Sequence, residues 1–327
     1  MTLRDRLLHH PQNIWLRKAL FQVHLWVGLI LALYVLMMCV TGTILIYRRD
    51  LSRVLSVTPH IVATGPRLTS EELQQIAERV HPGYQADQVS FGRRMTDPAK
   101  VSLERGSKKI DRLFDPYTGS DLGAALTPGF RALLWMVDLH DNLLAGTIGQ
   151  RLNGVGGILV TVLCISGLVI WWPGTGNWQR SLFVNWKANP QRLNWSLHTS
   201  LGFWSLAFIL MWGISGIYLG LPAPFNAVVD YLDGPETRQL RWGDNVLAWL
   251  ARLHFGRFPS LTLEITWTIF GLVPVVLLIT GALMWWNRVL GPWYRANLAG
   301  KKGVPETWAE RPESSAAVYS SRRTSAS

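Results

Sequence analysis

Apolar residues in this chain gather into four blocks, near 20–47, 152–173, 197–221 and 263–287. Each is long enough to cross a bilayer, which takes about 20 apolar residues in a helix. The blocks are separated by more polar segments: a tail 1–19, a long loop 48–151, a short loop 174–196, a loop 222–262 and a tail 288–327. Within the long loop, Thr69-Ser70-Glu71-Glu72 followed by Leu73, Ile76, Ala77 and Val80 predicts a capped amphipathic helix. Three strand-like runs follow, Gln88–Gly92, Lys100–Arg105 and Ile110–Phe114, the last closing in the turn Asp115-Pro116-Tyr117-Thr118-Gly119. Residues 66–122 therefore predict a small α+β module, near the lower size limit for independent stability and expected to lean on the helices. In the loop 222–262 the stretch 246–254 reads as an amphipathic segment suited to a membrane surface. The tail from Pro305 is rich in Ser and Arg and predicts disorder.

The apolar blocks repeat in pairs. His24, Gly28, Thr41 and Gly42 match His198, Gly202, Ser215 and Gly216 at a shift of 174 positions. His140, Ser166, Gly167 and Trp171-Trp172 match His254, Thr280, Gly281 and Trp285-Trp286 at a shift of 114. The predicted fold is an all-α membrane bundle of four transmembrane helices, built as two repeated helical hairpins, with a small α+β extracytoplasmic domain.

Composition supports a membrane chain. Of 327 residues, 49% are hydrophobic and only 16% charged, against about 25% charged in soluble domains. The net charge of +11 would suit nucleic acid, but the basic residues cluster beside the apolar blocks and form no recognisable binding module. They read instead as a topology signal and as headgroup contacts. Arg4, Arg6, Arg17 and Lys18, then Arg180, Lys187 and Arg192, then the basic C-terminal tail put 1–19, 174–196 and 288–327 on the cytoplasmic side. The segments 48–151 and 222–262 are then extracytoplasmic. Arg48, Arg49 and Arg53 oppose this locally, at the start of a loop long enough to weaken the rule. The first block is too long for a cleaved signal peptide and reads as an anchor. Cys39 and Cys164 lie inside apolar blocks and read as small buried hydrophobes.

Depth sorts the four repeated histidines into two pairs. His24 and His198 open their blocks near the cytoplasmic face. His140 and His254 each precede a Trp-Trp pair by 31 residues, about 46 Å of helix, which places them at the opposite face. An imidazole in the bilayer is costly without a partner or ligand, and paired histidines between helices are one way to hold a haem. Gly28, Gly202, Gly42, Gly216, Gly167 and Gly281 would give a flat macrocycle room, or serve ordinary helix packing. Zinc wants more ligands than His24 and His198 have beside them. His9, His10, His60 and His81 have no repeat partner and are expected to be solvated. Gly154-Val155-Gly156-Gly157 reads as helix packing, and no dinucleotide loop or nucleophile–base pair stands in register. Trp212, at mid-depth, reads as core packing, with electronic coupling as the other possibility. Two rivals remain open: a non-enzymatic membrane protein that binds a periplasmic partner, and a metal or siderophore permease.

The pattern His24-x3-Gly28 with Thr41-Gly42, Leu139-His140 with Leu143-Leu144-x-Gly146, and the exit Trp171-Trp172-Pro173 resembles the PepSY-associated transmembrane family. The module ending at Gly119 looks like a PepSY domain, though shorter than in several relatives. The resemblance covers residues 15–290. It implies a bacterial inner-membrane protein with two b-type haems and His24, His140, His198 and His254 as ligands to the haem iron. It further implies reduction of a ferric siderophore or another periplasmic ferric chelate, with electrons from a cytoplasmic or quinol donor.

Overall fold

In the computed structural model the described residues are 5, 8, 11–56, 59–176, 178–234, 241–258 and 260–294. The expected disorder beyond Pro305 and the placement of His9 and His10 lie outside them.

The first apolar block forms two helices, α1 (Trp15–Ile30) and α2 (Ala32–Ile46), rather than one straight span over 20–47. The axis bends by 62° between them. No proline is present; the bend sits at Leu31, buried and held at φ −80°, ψ −2°. A ψ near zero departs from the helical value of about −42° and turns the chain. Three further helices are long and apolar enough to cross a membrane: α6 (Gly146–Trp171), α7 (Pro190–Gly220) and α10 (Leu261–Trp285). The bent pair makes a fourth if it counts as one span. All three begin before the apolar blocks at 152, 197 and 263, because their polar first turns are helical too; Asn189 caps α7 by accepting from the Arg192 N–H. Helix α6 packs on α7 through small residues. A Cβ added at Gly157 would lie 2.8 Å from the Gly213 carbonyl oxygen, so the backbones touch as close-packed membrane helices do.

Shorter helices decorate the bundle: α3 (Arg48–Leu55), α5 (Pro128–Asn142), α8 (Pro222–Asp233) and α9 (Trp242–Phe255). The amphipathic stretch 246–254 falls in α9. The region of α5 carried no helix expectation. Thr127 caps it, with Pro128 at its first position, and Leu133 and Val137 bury one face with His140 one turn on. It ends abruptly because Leu143 and Leu144 both adopt positive φ, 52° and 59°, a costly conformation for leucine that turns the chain directly into α6.

The α+β module comprises α4 (Ser70–Val80) and an antiparallel sheet β1 (Gln85–Phe91), β2 (Ala99–Arg105), β3 (Lys108–Phe114) and β4 (Asp121–Ala124), in the order β1-β2-β3-β4. The Thr69–Glu72 capping box forms as its spacing predicts. Sequence patterning predicts three strands; β4 is only four residues long and contains a glycine, too short for alternation to show. Leu73, Ala77, Ala99, Val101, Leu103 and Phe114 are fully buried, and the residues around them all come from the module, so its core does not lean on the helices. His81 is not solvated as expected. It pairs with Asp121 at 2.9 Å, and Arg112 pairs with the same carboxylate. Burial alone would raise the Asp121 pKa, but hydrogen bonds from Arg112, the Gly123 N–H and His81, with the Arg112 charge, bring it below the usual value.

Candidate cofactor cavity

Four Ser/Thr–Gly dipeptides lie inside the long helices: Thr41-Gly42 in α2, Ser166-Gly167 in α6, Ser215-Gly216 in α7 and Thr280-Gly281 in α10. In a helix such a hydroxyl can donate back to the carbonyl four residues earlier. All four do, to Met37, Val162, Met211 and Val276, at 2.7, 2.7, 2.7 and 2.8 Å. Each hydroxyl oxygen also lies against a histidine Nδ1: Thr41 with His140 at 2.8 Å, Ser166 with His24 at 3.0 Å, Ser215 with His254 at 2.7 Å and Thr280 with His198 at 2.9 Å.

Proton counting favours one tautomer. A hydroxyl has one proton and two lone pairs, and here that proton is committed to the backbone. With the hydroxyl proton on the backbone, the histidine donates from Nδ1 and Nε2 keeps its lone pair. For His24 the Leu163 carbonyl, 3.1 Å from Nδ1, requires the same. Among the described residues no hydrogen bond reaches Nε2 of His24, His140, His198 or His254. A neutral imidazole whose Nδ1–H is held by the protein and whose Nε2 is bare is the usual state of a metal-ligating histidine.

The glycines beside these hydroxyls make room for the rings. A Cβ would lie 2.9 Å from His140 Cε1 at Gly42, 3.2 Å from His24 Cε1 at Gly167 and 3.3 Å from His198 Cε1 at Gly281. Expected to admit a macrocycle, these three instead admit imidazoles, because each follows the hydroxyl that the ring bonds. Gly216 departs from the pattern and faces the Gly157 Cα at 3.9 Å. Gly28 and Gly202 meet only leucine side chains, at 3.8 and 3.9 Å, and leave open room.

All four histidines and all six glycines line one cavity of about 900 Å³, at the upper end of small-molecule sites. At one end the rings of His140 and His254 stand 6.4 Å apart between centroids, tilted by 58°. Two imidazoles that shared one metal ion through Nε2 would have centroids about 6.3 Å apart, taking metal–nitrogen bonds of about 2.0 Å, so His140 and His254 could hold one ion between them. At the other end His24 and His198 are close enough to interact electrostatically. His140 and His254 sit on the short helices α5 and α9. Burial lowers the pKa of both, that of His254 to about 3 with the neighbouring His140 acting in the same direction, which keeps the lone pair available at neutral pH.

Residues matching the PepSY-associated TM region run over 21–239 and 230–288 and include all four histidines. The chain belongs to the PepSY-associated TM region family. It is a multi-pass membrane protein of that family, and no curated protein matches it.

Three residues that sequence patterning leaves unassigned, or assigns to packing, hold the helices bearing His140 and His254. Asn153 Nδ2 donates to the His140 carbonyl at 2.7 Å, Trp212 Nε1 to the His254 carbonyl at 3.3 Å and Trp267 Nε1 to the Leu253 carbonyl at 2.7 Å. Trp212, placed in core packing by sequence, thus also anchors α9. Asn153 and Trp267 occupy the same place in the 114-position repeat, but as different residue types, so no identity marks them. The hydroxyls are visible as repeated positions, but their partners are not. Cys39 and Cys164 are both free.

Proposed function

We propose that this protein is a di-haem electron conduit of the bacterial inner membrane that reduces periplasmic ferric-siderophore iron. His24 and His198 hold one b-type haem at the inner, cytoplasmic end of the cavity, and His140 and His254 hold a second at the outer, periplasmic end. The observation that carries this reading is the fourfold Nδ1–hydroxyl bond, which leaves four Nε2 lone pairs around one cavity. Each pair of imidazoles would hold the iron of one porphyrin.

When bound, haem supplies one-electron transfer. The chain's own residues do the rest. Thr41, Ser166, Ser215 and Thr280 hold the ring orientations and the tautomer. The leucine, valine and methionine lining between the ends excludes water. Two helical hairpins of like design set the ends apart: eighteen residues of straight helix from His24 to Gly42 would span about 27 Å, and the bend at Leu31 shortens this to about 23 Å. The α+β module and the loop 222–262 face the periplasm, where a ferric chelate accepts one electron from the outer end. Its iron becomes Fe(II), a softer ion that hard-oxygen ligands hold less well. A cytoplasmic or quinol donor replaces the electron, and residues 1–19, 174–196 and 288–327 lie on the cytoplasmic side.

An optical spectrum tests the reading. Protein purified in detergent from haem-replete cells is recorded oxidised and dithionite-reduced, with a pyridine haemochrome count. Two b-type haems per chain are expected. A colourless preparation would overturn the proposal and favour a protein that only binds a periplasmic partner.

A further inference from the structure

Among the described residues the cavity is charged only toward its ends. Its charged lining residues are Arg17, Arg48, Asp141, Arg257 and Arg288. Two arginines belong to the inner end. Arg17 lies two turns before His24 in α1 and donates to the Ile170 carbonyl at the end of α6. The Arg288 guanidinium lies 4.6 Å from the ring centre of Phe21, three residues before His24. The other two belong to the outer end. Arg257 lies three residues beyond His254, Arg48 six residues beyond Gly42, and both interact electrostatically with Asp141, the neighbour of His140. Among the described residues none of these four arginines forms an ion pair.

Arginine is always charged, and its planar fork of donors matches a carboxylate in bidentate fashion. Beside an apolar cavity in a membrane such a cation calls for an anion. The proposed cofactor carries two carboxylates on one edge, and the cavity offers two arginines at each end. None of the four belongs to the sequence repeat that generates the histidines.

We infer that the arginine pairs receive the haem propionates, Arg17 and Arg288 at the inner end and Arg48 and Arg257 at the outer end. This rests on the di-haem reading above. It gives each macrocycle a direction, with its acidic edge toward its own membrane face and its apolar edge toward the middle of the cavity. The apolar edges then face each other, which shortens the gap an electron must cross. Among the described residues Asp141 is the one acid lining the cavity, and it already neighbours both outer arginines, so the outer pair is less free for a propionate than the inner pair and its hold is weaker.

The test compares haem-loaded wild-type protein with Arg288→Gln and Arg48→Gln, and with the charge-retaining Arg288→Lys and Arg48→Lys. Readouts are the midpoint potential of each haem by optical redox titration and the propionate bands in resonance Raman spectra. Losing the cation leaves a carboxylate uncompensated and favours the ferric state. Arg288→Gln should therefore lower the potential and move the propionate band of the haem that His24→Ala removes, sparing the other. Arg48→Gln should do the same, by a smaller amount, to the haem that His254→Ala removes. The lysine variants should fall between. Loading with haem dimethyl ester, which lacks free carboxylates, should abolish the differences. Differences that persist with the ester would mean the arginines bind another anion, such as a lipid phosphate, and would overturn the inference. So would unchanged spectra and potentials in both glutamine variants, or equal shifts of both haems in each. Haem bound to wild type with unmoved variants overturns this inference alone; a colourless wild type overturns the di-haem reading with it.

Discussion

His24 and His198 stand on α1 and α7, which belong to the long apolar helices, whereas His140 and His254 stand on α5 and α9, short helices laid against the bundle. Both pairs use one device, an Nδ1–H given to a serine or threonine whose own proton is spent on its helix. The carriers differ, and so do the supports. The inner ones lie on helices of the apolar blocks whose own side chains reach out to their neighbours, Arg17 to the Ile170 carbonyl and Asn194 to the Thr280 carbonyl. The outer ones depend on Asn153, Trp212 and Trp267 gripping carbonyls of the short helices, and on the left-handed leucines that stop α5 one residue past Asn142. The same chemistry can thus be displayed from inside a span or from a short helix beside it, provided the second is pinned by its backbone.

The largest effect that sharpens this contrast is loss of a ligand. His198→Ala should remove one haem and leave one, as should His254→Ala. The double variant His24→Ala/His198→Ala should still hold the outer haem, by pyridine haemochrome count. Loss of both haems in a single variant would mean the ends are not separate sites.

A smaller effect breaks the fourfold likeness at its one irregular position. Gly42→Val pushes a side chain onto the His140 ring, an overpacking that costs about 1–3 kcal/mol, and should deplete the outer haem while sparing the inner. Gly216→Ala, with 3.9 Å to its nearest neighbour, should be tolerated in thermal stability and haem content. Equal damage from both would refute the assignment of Gly42 to ring clearance.

The smallest change removes a hydroxyl. Ser215→Ala leaves the His254 Nδ1–H without its acceptor and frees the ring to turn. Haem retention at the outer end should weaken by about 10–100-fold, measured by transfer to apomyoglobin, and Ser215→Thr should restore it. Unaltered retention in Ser215→Ala would show that packing alone sets the ring.

Several of these features are legible in the linear sequence. The repeat spacing singles out His24, His140, His198 and His254, and apolar length marks the spans and hence a membrane protein. The capping box and the turn at residues 115–119 outline the α+β module. Other features carry no local signal. The bend at Leu31 has no proline to announce it, α5 is a 15-residue helix inside a polar segment, and β4 is too short to alternate. The role of the hydroxyls is hidden by distance, since their histidine partners lie 99, 142, 39 and 82 positions away.

Residue type and spacing by themselves determined that this chain lives in a bilayer and repeats its imidazoles, because hydrophobic length and duplication are properties of a linear string. Only the packed helices decided which nitrogen carries the proton, which histidines meet across 6.4 Å and which glycines shelter a ring. Each of these depends on atoms brought within about 3 Å from distant parts of the chain, and hydrogen-bond direction is settled only when both partners are present.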